Sequence, residues 1–217
     1  GNLVWATYYG GSDVDHSRGS VVGDTNYVYI CGSTTSTSGI ASTGATQSSI
    51  GGGYDMFLAK FDSTGNRVWG TYLGGSGLDQ GGNVVLDHSG NLNTTGITNS
   101  TSTIASPDAF QSAIAGGVDA FMAIYNSGGS KLFGTYYGGT GNDYGYGVAR
   151  GKSEGHIYFA GNTESSSGIS LNGSQNTLGG ANDAFLVKIT PDTSVSIVKN
   201  SINTVYCAGD SFTLDYV

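Results

Sequence analysis

One block of sequence recurs at a fixed spacing, and nothing else in the chain constrains the fold as strongly. It reads YDMFLAKFDSTGNRVWGTYLGG over residues 54–75 and VDAFMAIYNSGGSKLFGTYYGG over residues 118–139. Its first half returns as NDAFLVKITPD at residues 182–192, and its second half stands alone as LVWATYYGG at residues 3–11. Asp55, Asp119 and Asp183 lie 64 residues apart, as do Trp5, Trp69 and Phe133. Self-similarity at a fixed period predicts a repeat architecture, in which each unit buries its faces against its neighbours.

Within the block, Phe57, Ala59 and Phe61 alternate with Leu58 and Lys60, and residues 68–72 are aromatic and β-branched. Both halves read as strands. Asp62-Ser-Thr-Gly-Asn66 lies between them, replaced in the second copy by Asn126-Ser-Gly-Gly-Ser130. Residues that tolerate positive φ are what a tight hairpin requires, so the block is a β-hairpin. Going round the repeat, a strand closing on Gly-Gly leads to a loop with an aspartate (Asp15, Asp79, Asp143). Two further strands follow, over 19–22, 82–86 and 145–149 and over 27–32, 92–96 and 157–161. About 20 residues of Ser, Thr, Gly and Ala then precede the next hairpin, and such a stretch is a surface excursion or a place where function sits.

Of 217 residues, 38 are glycine and only two proline. Helix formers are scarce and no window has a helical apolar period, so the chain reads as all-β. Sixteen acidic against eight basic residues give a net charge of −8. That charge repels phosphate backbones and anionic lipid, which argues against nucleic acid as a partner. No run of about 18 apolar residues is present, so membrane insertion by a helix is not expected. Cys31 aligns with Thr95 and Ala160 at a small position inside a strand, and is expected to be a buried free thiol rather than half of a bridge to Cys207.

Four antiparallel strands per 64-residue repeat is the plan of a propeller blade. We therefore expect a β-propeller-type repeat domain over residues 1–192, with copies at about 3–66, 67–130 and 131–192. The lone strand at residues 3–9 is the partner missing after residues 183–189, which suggests a ring latched by the N-terminus. Three blades would make a very tight ring, since propellers usually close with about four to eight. Further repeats outside this chain or association of copies are the alternatives.

Three blocks in order carry a family resemblance: W-x-T-Y-x-G-G-x-x-x-D at residues 69–79, G-x-V-x-x-D-x-x-G-N at 82–91 with its continuation to Thr98, and G-G-x-D-A-F at 116–121. The pattern resembles the bacterial SBBP repeat, and covers about residues 3–192. The resemblance implies β-propeller blades and a place in large secreted or surface-attached bacterial proteins, with no general catalytic residue set. Past Pro191 the repeat stops. Tyr206-Cys-Ala-Gly-Asp-Ser-Phe-Thr-Leu resembles the first strands of immunoglobulin-like domains in surface proteins of Bacteroidota. Residues 193–217 are therefore expected to be a linker and the truncated start of an Ig-like sandwich.

Candidate chemistry follows from these positions. Asp55, Asp119 and Asp183 follow glycine-rich turns and open a strand, where a carboxylate can accept turn amides; a role copied in every unit is repeat-structural, not catalytic. Asp15, Asp79 and Asp143 are weak Ca²⁺ candidates through loop oxygens, but the second and third copies lack extra carboxylates, so loop capping is the preferred reading and no cofactor is assigned. His16, His88 and His156 share no repeat position, and zinc chemistry is unsupported. Tyr9, Tyr72, Tyr137, Tyr144 and Tyr146 are candidates for an aromatic rim that binds glycan or protein. The resulting expectation is a non-enzymatic extracellular module for adhesion, display or binding. A propeller glycosidase or lyase, using the only glutamates, Glu154 and Glu164, and a purely structural spacer are the alternatives.

Overall fold

A computed structural model describes residues 1–23, 26–152 and 155–190. The expected Ig-like start at residues 193–217, Cys207 and Glu154 lie outside the described residues. Among the described residues there are eleven strands and no helix. The first sheet has the order β1 (Asp15–Val22), β2 (Val28–Thr34), β3 (Asp55–Phe61), β4 (Arg67–Leu73). The second repeats it with β5 (Asp79–Leu86), β6 (Leu92–Thr98), β7 (Asp119–Tyr125) and β8 (Lys131–Tyr137). The third has three strands, β9 (Asp143–Arg150), β10 (Ile157–Thr163) and β11 (Asp183–Ile189). All pairings within the sheets are antiparallel, and Thr34↔Asp55, Thr98↔Asp119 and Thr163↔Asp183 hold the same register in each.

Strand β5 packs on β1, β2 and β3 of the first sheet, and β9 packs on β5, β6 and β7 of the second. The same sheet-on-sheet contact is thus used twice. Between the first two sheets lie Cys31, Met56, Leu58, Phe121 and Tyr125; between the second and third lie Met122, Ile124, Phe159 and Phe185. Alternation explains the division: on β7, Phe121, Ala123 and Tyr125 face one neighbour while Ala120, Met122 and Ile124 face the other. A strand sandwiched this way has no polar face, which is why DAFMAIY is apolar on both sides.

The strand carrying each loop aspartate starts at the aspartate itself, four or fewer residues earlier than its sequence suggests. Asp15, Asp79 and Asp143 pair with Thr34, Thr98 and Thr163. A register shift follows in each, between Ser17 and Gly19, Gly81 and Asn83, and opposite Ala160 and Gly161. These bulges break the alternation that would have marked the strand's first residues.

The N-terminal segment is a correction to expectation. Residues 3–9 form no strand and do not pair with β11. They lie instead against the first sheet, where Trp5 Nε1 donates to Ser63 O at 3.1 Å and the Tyr9 ring packs edge-on against Phe57 and Phe61. Side chains, not backbone, anchor the segment. Trp69 makes the equivalent bond from β4 to Ser127 O at 3.1 Å in the second sheet. The described residues therefore form three sheets in a row without ring closure, and the outer face of β11 is left uncovered: Leu186 is 74% exposed, whereas Leu58 and Met122 at the same position are fully buried.

Candidate functional site

The aspartates come first, because their surroundings decide what chemistry they can do. Asp55 accepts from Gln47 Nε2 at 2.8 Å, Gly51 N at 2.9 Å and Gly52 N at 3.2 Å. Asp119 accepts from Gln111 Nε2, Ala115 N and Gly116 N at 2.9, 2.9 and 3.0 Å, and Asp183 from Gln175 Nε2 and Gly179 N at 2.9 and 2.7 Å. In each case a carboxylate at the start of a strand pins the preceding glycine-rich turn. The glutamine eight residues upstream, Gln47, Gln111 or Gln175, is a member of this device that the sequence reading missed. Its recurrence at a 64-residue spacing was the available signal.

Asp15, Asp79 and Asp143 make a second device. Asp79 accepts from Thr98 Oγ1 at 2.5 Å, Ser100 Oγ at 2.7 Å and Gly75 N at 2.8 Å. Asp15 repeats the set with Thr34, Ser36 and Gly11 at 2.6, 2.9 and 2.8 Å. Asp143 keeps Ser165 and Gly139, both at 2.8 Å, while its Oδ1 has no partner among the described residues. Hydroxyls and amides that donate to a carboxylate occupy the lone pairs a cation would need. Among the described residues no group of three or more His, Cys, Asp or Glu is arranged to hold a metal. Burial raises Asp55, Asp79 and Asp119 above the ordinary carboxylate range, and the hydrogen bonds pull each part of the way back.

The five candidate tyrosines do not form one rim. Tyr72 and Tyr137 are buried, and Tyr9 packs into the cluster of Ile40, Phe57 and Tyr72. The pleat sends Tyr72 at the end of β4 and Tyr137 at the end of β8 into packed layers on opposite faces of their sheets, and Tyr9 enters its cluster from the N-terminal segment. Tyr9 Oη donates to Ile40 O at 2.9 Å, Tyr137 Oη to Ile169 O, and Tyr72 Oη to Ser36 O at 2.8 Å. Tyr144 and Tyr146 do reach the surface on β9, with parallel rings 6.3 Å apart. Glu164 is exposed and accepts from Asn142 Nδ2 at 2.8 Å.

A cavity that the sequence did not announce lies where the loops of the first sheet meet the second. It has a volume of about 310 Å³ and is lined by Thr46, Gln47, Tyr72, Leu73, Thr103, Tyr125 and Lys131. Tyr125 is fully buried and its hydroxyl has no hydrogen-bond partner among the described residues. Lys131 Nζ donates to Thr103 O at 2.7 Å and Ile104 O at 2.5 Å, and burial lowers its pKa to about 8. Thr103 adopts φ 74°, a left-handed conformation that a β-branched residue rarely takes.

Comparison with known protein families finds none that matches this chain, and comparison with curated proteins finds no relative. The likenesses to the SBBP repeat and to Ig-like domains rest on the motifs alone.

Proposed function

We propose that this chain is a non-enzymatic binding module, built from propeller-type blades and acting in adhesion or display at the bacterial cell exterior. The observation that carries the reading is the use made of the recurrent carboxylates. Asp15, Asp55, Asp79, Asp119 and Asp183 each accept two or three hydrogen bonds from the turns and strands around them. Groups held this way are scaffold, since a general acid or nucleophile must be free to meet substrate. The propeller reading is supported by the repeated contact between consecutive sheets and by the face left open on β11 at one end of the row. Either further repeats or a second copy would cover it. Secretion and surface attachment follow from the resemblance to SBBP repeats, and glycan or protein is the expected partner.

A glycan array and a partner pulldown, run beside a panel of glycosidase and lyase substrates, test the reading. Binding without turnover is the expected outcome. Turnover that disappears in Glu164→Gln would replace it with the enzyme alternative, and an absence of both binding and turnover would leave a spacer.

A further inference from the structure

The cavity between the first and second sheets is where the copies stop agreeing. At the next interface Tyr137 fills the corresponding space, stacked on Phe110 at 6.3 Å and edge-on to Phe159 at 5.0 Å. The residues aligned with Tyr137 and Phe110 are Leu73 and Thr46, and both line the cavity. Two aromatic rings, the buried one of Tyr137 and the largely exposed one of Phe110, are therefore absent from one of two otherwise equivalent interfaces. The space is partly open to solvent, so a ligand can reach it from the surface.

Three further departures converge there. Tyr125 stands where the first copy has Phe61, and so brings a hydroxyl into a fully buried position without giving it a partner. Thr103 stands where the other copies have Gly39 and Gly168, whose φ values of 86° and 84° cost glycine nothing. Lys131 stands where the first copy has Arg67 and binds the aligned pair of carbonyls, Thr103 O and Ile104 O in place of Gly39 O and Ile40 O. Ile40 O also receives the Tyr9 hydroxyl, a bond that Leu73 cannot supply to Ile104 O. An ammonium has three N–H donors, and two carbonyls engage two of them.

The geometry points to a ligand site in this cavity for a six-membered ring carrying one carboxylate, the ring replacing the missing side chains and the carboxylate meeting Lys131 and Tyr125. The inference rests on the binding-module reading, and it locates the site at the one interface that carries these departures rather than on the repeated loops. Backbone strain at Thr103 and an unpartnered buried hydroxyl meet at this cavity, and both are features that ligand sites retain. The chemistry has two natural sources, an acidic monosaccharide and an aromatic acid.

Titration of the full chain with glucuronate and with benzoate, followed by calorimetry and by ligand-dependent thermal shift at pH 6.5, tests the site and separates the sources. One of the two acids is expected to bind, and its neutral counterpart, glucose or benzyl alcohol, to bind at least about tenfold more weakly, the worth of one charge-assisted hydrogen bond. The double variant Leu73→Tyr/Thr46→Phe, which rebuilds the neighbouring interface, is expected to fold and to lose binding. Lys131→Met and Tyr125→Phe provide the same test without enlarging any side chain, and each is expected to weaken the acid about tenfold. The proposal is overturned if neither acid binds, or if binding survives all of these variants. A positive glycan array whose signal is indifferent to them would sink the cavity and leave the binding module standing.

Discussion

Burial and hydrogen bonding pull the aspartates in opposite directions, and the sign of the result is measurable. Asp55, Asp79 and Asp119 have raised pKa values, with burial the largest cause in each. The folded state therefore keeps protons that the unfolded chain releases near the ordinary carboxylate pKa of about 3.9. Stability contributed by these groups is greatest below that value and declines as pH rises through the folded pKa. Urea titrations are expected to give a larger unfolding free energy at about pH 4.5 than at about pH 7. Asp79→Asn should flatten part of that slope, and a slope of the opposite sign would show that the hydrogen bonds prevail. Cys31 offers a second check. Burial pushes its thiol up to about 12, so it is expected to resist a disulfide exchange reagent at pH 8 until the chain is unfolded.

Hairpins are the elements that the sequence made most legible. Asp62-Ser-Thr-Gly-Asn66 and its counterpart specify the turn, and Gly65 and Gly129 occupy the left-handed position at φ 86° and 87°. What composition could not reveal is that each of these glycines lies under an indole. A Cβ on Gly129 would come within 3.0 Å of the Trp69 ring, and a Cβ on Gly65 within 2.9 Å of Trp5. Gly129→Ala is expected to cost about 1–2 kcal/mol from conformation alone, and more from the contact. Gly147→Ala, with nothing within 4 Å, should stay within about 0.5 kcal/mol, both read from thermal melts. The strands opening on Asp15, Asp79 and Asp143 were less legible, because a bulge interrupts alternation within their first residues. The cavity was invisible for another reason. Its residues are separated by up to 85 positions, from Thr46 to Lys131, and it consists of what is missing from a repeat.

Across the whole molecule, the same residue position has two different environments. Leu58 and Met122 are enclosed between sheets, and Leu186 is not. Leu58→Ala is expected to cost about 2–5 kcal/mol and Leu186→Ala less than about 0.5 kcal/mol, measured by denaturant unfolding. Equal losses would mean that Leu186 is covered in solution. The repeat and the sheet also turn out not to share boundaries: β4 begins the second copy yet completes the first sheet, and β8 begins the third yet completes the second. Trp69 extends that overlap by reaching from β4 to the hairpin of the second sheet. Trp5 reaches the first sheet in the same way from a segment that belongs to no sheet. Tension applied at the N-terminus would therefore be borne first by an indole and a phenol ring gripping the next layer, so the chain would yield by peeling away side chains before any sheet is unzipped.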